Sequence, residues 1–183
     1  MANAQFVSDI ESIRKKARED ILQGALTKGF KGDVNETIRL LNAALSTEII
    51  CTLRYRQHYF SCEGLNAQIV ADEFLEHSNQ EQEHADKLAE RICQLGGSPD
   101  MNPDKLSERS HSEYTESSSI KEMIVENLIA ERIAIDSYRE MIEFIGDKDP
   151  TTRRLLEEIL AVEEEHADDL ADLMTSYAVD TRN

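Results

Sequence analysis

A chain of 183 residues with 40% hydrophobic and 31% charged residues can build one packed core, and its composition is not that of a disordered protein. The net charge of −17 repels phosphate backbones, which argues against nucleic-acid binding as a main role and favours attraction of cations. No segment reaches the ~18 apolar residues of a membrane span, the opening MANAQFVSDIESIRKK lacks a signal peptide's apolar core, and the three cysteines fit no zinc motif, so the sequence reads as a cytoplasmic protein with free thiols.

Glycine (7) and proline (3) are scarce, which favours long helices. From about residue 7 to 27, Phe6, Ile10, Ile13, Ala17, Ile21 and Leu22 recur at helical spacing and predict a first helix. Its basic run, Arg14-Lys15-Lys16-Ala17-Arg18, reads as a solvated face. The stretch TKGFKGD breaks this N-terminal extension, residues 1–33, and Asp33 is placed to cap the next helix. That long helix runs from Val34 to about Cys62 and is interrupted at Gly64. A second extends from Leu65 to Leu95 and stops at Gly96-Gly97-Ser98-Pro99. Residues 96 to about 118 are serine-rich and polar, with one short helical piece expected around Leu106. A third long helix spans about Ser119 to Ile145. GDKDP turns the chain, Pro150 suits the start of the fourth helix (about 150 to 177), and residues 179–183 form a tail. The sequence therefore predicts an all-α fold: a four-helix bundle over 34–178, with one long crossover and an extra N-terminal helix.

Two Glu-x-x-His motifs lie on the long helices, Glu81-Gln-Glu-His84 and Glu163-Glu-Glu-His166. Three residues along a helix turn about 300°, so each Glu and His share a face and can bind one metal ion together. A third example, Glu108-Arg-Ser-His111, falls in the polar crossover and reads as coincidence. In an antiparallel hairpin, residues equidistant from the turn lie at one height. Glu48 and Glu81, 33 residues apart, are centred on Gly64. Glu131 and Glu163, 32 apart, are centred on Asp147. Each half thus sets one Glu opposite one Glu-x-x-His. Glu48 lies among Leu45, Ile49, Thr52 and Leu53, and Glu131 shares its side with Leu128, Ile135 and Ile142, so both are expected to face the core. Glu126 is the rival to Glu131, whose hairpin midpoint is better. Four buried carboxylates would repel one another, and two divalent cations resolve that cost.

Glu48, Glu81-x-x-His84, Glu131 and Glu163-x-x-His166 resemble the di-iron site of the bacterioferritin and ferritin-like family. The resemblance covers roughly residues 34 to 175, in the stretches LNAALSTEIICTLRYRQH, EQEHADKLAERI, NLIAERIAIDSYREMI and LEEILAVEEEHADDL. It implies a ferritin-like fold and two iron ions per subunit. Glu48 and Glu131 would be terminal ligands, Glu81 and Glu163 bridging ones, and His84 and His166 would each complete one coordination shell. It implies a ferroxidase that oxidises Fe(II) with O2 or H2O2 and stores iron inside a homo-oligomeric shell. Tyr55, seven residues after Glu48, stands where the family has a tyrosine that can hand over an electron. The plainer role is a core tyrosine bonded to a ligand carboxylate, and Tyr138 stands in the same relation to Glu131. Cys51 could also face the site, as cysteines do in the Dps-like thioferritin branch, although for Cys51, Cys62 and Cys93 alike a plain thiol is the simpler reading.

Two departures refine the resemblance. Haem-binding members usually carry Met directly after the first bridging Glu. Gln82 stands there instead, which argues against a haem ligated in that way and leaves a site at other methionines open. About 17 residues follow His166, too few for the additional C-terminal helix of 24-subunit cages, so a shell of twelve is expected. Two other functions compete. A rubrerythrin-like di-iron peroxidase would carry Cys-x-x-Cys pairs that this sequence lacks. A non-catalytic helical assembly protein would hold no metal.

Overall fold

The computed structural model describes residues 9–19, 21–64 and 67–180 (for 177–180, the backbone alone). Among them are six α-helices and no strand: α1 Ile10–Lys16, α2 Val34–Ser61, α3 Ala67–Gln94, α4 Pro103–Arg109, α5 Ile120–Ile145 and α6 Pro150–Asp180, with a single 3₁₀ turn at Ile21–Gln23. No helix among the described residues is long and apolar enough to cross a membrane.

The helix starts follow side-chain chemistry. Asp33 accepts from the Glu36 N–H at 3.0 Å to cap α2, and Ser119 accepts from the Glu122 N–H at 3.3 Å to cap α5. At the end of α3 the chain turns through Gly96, whose φ of +78° suits a residue without Cβ. Gly97 lies so close to its neighbours that a Cβ would meet Ile38 Cδ1 at 2.9 Å.

The N-terminal extension differs from the expected single helix. Helix α1 stops at Lys16, and the chain then makes turns and the 3₁₀ segment. The apolar positions that suggested one helix are exposed: Ile10 49%, Ile13 53%, Ile21 76% and Leu22 98%. Among the described residues these positions meet no packing surface that would reward the periodicity, and a short helix without such support is marginal. Phe6, the first residues of that expected helix, Leu65 at the expected start of the second long helix, and residues 181–183 of the tail lie outside the described residues.

Helices α2 and α3 form one antiparallel hairpin, and α5 and α6 the other. Their facing residues interdigitate into two apolar clusters. One holds Leu41, Leu45, Leu88, Ile92, Met141 and Leu156 among others; the second holds Tyr55, Val70, Phe74, Met123, Ile124 and Leu170. Each fully buried Leu or Ile contributes roughly 1.5–3 kcal/mol relative to exposure. Along every long helix a polar stretch separates the two clusters.

The crossover runs the length of the bundle and is fastened to α2 by polar residues. Asp100 N–H donates to Asn42 Oδ1 at 2.8 Å, Arg109 Nε donates to Ser46 Oγ at 3.1 Å, and the His111 N–H donates to Thr47 Oγ1 at 2.9 Å. Leu106, in the one helix of the crossover, is buried. These bonds account for hydroxyl residues on an otherwise core-facing side of α2.

Candidate metal centre

Between the two apolar clusters, one residue or pair from each long helix points inward. Glu48 comes from α2, Glu81 and His84 from α3, Glu131 from α5, and Glu163 and His166 from α6. All six are at most 2% exposed. Helical spacing aims Glu and His of each pair the same way, and the equal heights in the two hairpins bring them to one level.

The side chains fall into two groups that share members. Glu48, Glu81, His84 and Glu163 bring one donor atom each within 4.8 Å of one another; so do Glu81, Glu131, Glu163 and His166. Glu81 and Glu163 belong to both. His84 Nδ1 lies 3.4 Å from Glu48 Oε2, 3.4 Å from Glu81 Oε2 and 2.9 Å from Glu163 Oε1. His166 Nδ1 lies 3.7 Å from Glu81 Oε1 and 3.6 Å from Glu163 Oε2. Two ligands that each sit about 2.1 Å from one metal ion are separated by about 3–3.5 Å. The spacing therefore suits ligands around a shared ion.

Hydrogen bonding divides the four carboxylates into two kinds. Tyr138 donates its hydroxyl to Glu48 Oε1 and Tyr55 donates to Glu131 Oε1, each from the opposite hairpin. The other oxygen of Glu48 and of Glu131 has no hydrogen-bond partner. Both oxygens of Glu81 and Glu163, and Nδ1 of His84 and His166, also have none. Buried polar atoms are nearly always satisfied. Orphans that converge in this way, two per central carboxylate and one per outer carboxylate or imidazole, fit two cations. Carboxylates with imidazoles form a donor set for iron, manganese or zinc.

The charges respond to the crowding. Burial, followed by Glu81 and Glu163, raises Glu48 and Glu131 well above the usual carboxylate range. Burial also opposes charge on the imidazoles, yet the carboxylates around them outweigh it, pushing His84 up to about 12 and His166 up to about 10. Burial alone would raise Glu81, but Glu48, His166 and His84 hold it well below its ordinary value. Without metal, protons on the imidazoles balance the carboxylates.

The structure adds residues beyond the six. His77, one helical turn before Glu81, is buried and stacks on His166 with ring centroids 4.0 Å apart. Its Nδ1 lies 3.3 Å from the Tyr55 hydroxyl. Gln80 Oε1 lies 2.7 Å from His166 Nε2, where it accepts a hydrogen bond from that nitrogen and leaves Nδ1 facing the carboxylates. The 77-81-84 spacing on one helix face was the signal that could have found His77. Arg54 is 1% exposed and its charge lies near Glu131. Its Nε donates to Asn127 Oδ1 at 2.9 Å, and Asn127 Nδ2 reaches His58 Nδ1 at 3.0 Å. Nothing in the local pattern distinguishes Arg54 from a surface arginine. Cys51 is buried, and its Sγ accepts from Arg54 Nη2 at 3.6 Å. It does not join either group of converging donors. Cys62 is half-buried and Cys93 exposed, all three as free thiols. Glu126 is half-buried and outside the groups, and His111 of the third Glu-x-x-His is exposed.

Compared with known proteins, residues 38–178 match the family model described as a ferritin-like domain. A bacterioferritin of Rhodobacter capsulatus is 30% identical over 149 residues, 81% of this chain and 88% of that one. A nutrient stress-induced DNA-binding protein of Synechococcus is 31% identical over 132 residues, 69% of this chain and 74% of that one. Among solved structures, the dodecameric thioferritin of Bacteroides fragilis, a bacterioferritin-related protein, is 36% identical with a TM-score of 0.79, covering 83% of this chain and 92% of that one.

Proposed function

The chain belongs to the ferritin-like family, and from that premise we propose that it is a ferroxidase that oxidises Fe(II) with O2 or H2O2 and stores the product iron in an oligomeric shell. The observation that carries the reading is the set of buried donor atoms without hydrogen-bond partners, in two groups that share Glu81 and Glu163. Glu48 and His84 would hold one iron and Glu131 and His166 the other, with Glu81 and Glu163 reaching both. Two Fe(II) held together give up one electron each, which reduces one O2 with two protons to H2O2, or one H2O2 to two hydroxides. Carboxylates suit this hard ion in both oxidation states, and imidazole helps retain Fe(II).

The surrounding residues have defined parts. Tyr138 and Tyr55 orient the outer carboxylates so that one oxygen of each stays free. Tyr55 also lies against His77, its hydroxyl 3.3 Å from His77 Nδ1. Gln80 fixes the tautomer of His166. The apolar clusters above and below exclude bulk water, which strengthens every interaction between charge and metal. The net charge of −17 draws Fe(II) to the molecule and opposes direct contact with DNA phosphates. The dodecameric Bacteroides fragilis relative supports a shell of twelve for this chain.

Replacing both Glu48 and Glu131 with Ala is expected to abolish the fast phase of Fe(II) oxidation seen by stopped-flow absorbance. Circular dichroism should stay helical, since both changes remove buried charge. Unchanged oxidation kinetics in the double variant would reject the proposal. Sedimentation of the purified protein tests the shell, with a species near twelve chains expected.

A further inference from the structure

One buried cation beside the centre has no acid of its own. Arg54 is 1% exposed. Its Nε donates to Asn127 Oδ1 at 2.9 Å, Nη1 to the Glu113 carbonyl at 2.8 Å and Nη2 to Cys51 Sγ at 3.6 Å. All three acceptors are neutral, the thiol because burial pushes Cys51 up. The chain beyond them is neutral too. Asn127 Nδ2 donates to His58 Nδ1 at 3.0 Å, and burial, then Arg54, pushes His58 down to about 4. Among the described residues Arg54 forms no ion pair.

A guanidinium does not shed its proton, and a buried charge without compensation is costly. The compensation here comes from the centre itself. Cys51 lies three residues after Glu48, and Asn127 four before Glu131. One helical turn, about 5.4 Å of rise, therefore separates the partners of Arg54 from both outer glutamates. Burial opposes the charge on Arg54, and the carboxylates that favour it are Glu131 and Glu81. The four carboxylates of the two donor groups thus face a fixed positive charge in addition to any ions they hold. Formal charge then separates the two oxidation states. Four ionised carboxylates offset two divalent ions, whereas two trivalent ions exceed them by two charges. Arg54 adds to that excess and has no anion beside it to take it up.

We infer that Arg54 is a specificity-determining residue that sets the centre against trivalent ions, so that iron is handed on once oxidised instead of being kept. It acts through space and through its bonds to Cys51 and Asn127, and it touches no metal donor. Repulsion grows with the charge of the ion, so Arg54 weakens both oxidation states and the trivalent one more. At a separation of about 8 Å and an effective dielectric of about 20, one additional unit charge is worth roughly tenfold or more in affinity for each ion. The role rests on the proposed ferroxidase reading, in which the two donor groups receive Fe(II) and release Fe(III).

The test measures binding, not turnover. Full-length protein stripped with chelator is dialysed to equilibrium against Zn(II) or Ga(III), each buffered by nitrilotriacetate, and analysed for metal. Neither ion changes oxidation state. Arg54→Gln removes the charge, and Arg54→Lys keeps it without the forked geometry. Asn127→Asp leaves Arg54 in place and gives it an isosteric acid partner, which carries the test if Arg54→Gln does not fold. Circular dichroism and elution volume check each variant. Arg54→Gln and Asn127→Asp are expected to raise Ga(III) affinity roughly tenfold or more beyond any rise for Zn(II), while Arg54→Lys keeps the natural ratio. A ratio unchanged in both charge-neutralising proteins would overturn the role of Arg54 and leave the metal centre standing. So would Arg54→Lys behaving like Arg54→Gln, since geometry and not charge would then decide. A natural protein that binds no Zn(II) would remove the centre, and the role of Arg54 with it.

Discussion

At the scale of residues, the centre is a competition between protons and cations for the same atoms. His84 and His166, pushed up to about 12 and about 10 by the carboxylates around them, each hold a proton throughout the neutral range when no metal is bound. A metal ion needs the Nδ1 lone pair, so binding must expel those protons. Because protons favour the unloaded form, the sign is fixed: metal affinity rises with pH, and acid weakens loading. Calorimetric titration of Co(II) in two buffers of different ionisation enthalpy should reveal proton release near neutrality, with apparent affinity lower at pH 6 than at pH 8. An affinity that does not change with pH would mean that these imidazoles are not ligands. The tyrosines matter for the same reason. Each occupies one oxygen of an outer glutamate and leaves the other for metal.

At the scale of elements, the hairpins are locked to each other away from the centre. Arg91 on α3 donates through Nη2 to both oxygens of Asp149, at 3.0 Å each, and through Nε to Thr152 Oγ1 at 2.8 Å. Asp149 also accepts from the Thr152 N–H at 3.0 Å, capping α6. One buried carboxylate therefore starts a helix and fastens it to another. Asp149→Ala should cost about 3 kcal/mol, since it removes the cap and leaves a buried guanidinium unpaired. Asp147→Ala in the same turn removes an exposed ion pair with Arg153 and should stay within about 0.5 kcal/mol. Urea unfolding of the metal-free variants measures both, and equal midpoints would refute the lock.

At the scale of the whole molecule, the core is two apolar layers with charge between them. Desolvating a charge costs on the order of several kcal/mol per ion unless it is compensated. Metal binding offers that compensation in the folded state only. At a free metal concentration 100 times Kd, loading stabilises by about 2.7 kcal/mol, which for a domain of this size raises Tm by roughly 5–10 °C. Zn(II), which does not change oxidation state, is the clean probe. A scanning calorimetry trace that is the same with chelator and with Zn(II) would argue that the polar layer is balanced without metal.

The pattern of apolar spacing, the glycine stops and the capping residues Asp33 and Ser119 were enough to set the four long helices, because those signals are local. The hairpin arithmetic on Glu48, Glu81, Glu131 and Glu163 was enough to bring six polar side chains to one level, because a helix has a constant rise and an antiparallel turn mirrors it. Three things needed the tertiary structure. The first helix is short because Ile10, Ile13, Ile21 and Leu22 find no surface to pack on among the described residues. Ser46 and Thr47 are buried because the crossover returns over α2. His77, Gln80 and Arg54 take their places around the centre through contacts with residues up to 86 positions away. Local sequence specifies which way a side chain leaves its own helix, whereas the atoms it meets there come from another helix, and only packing decides them.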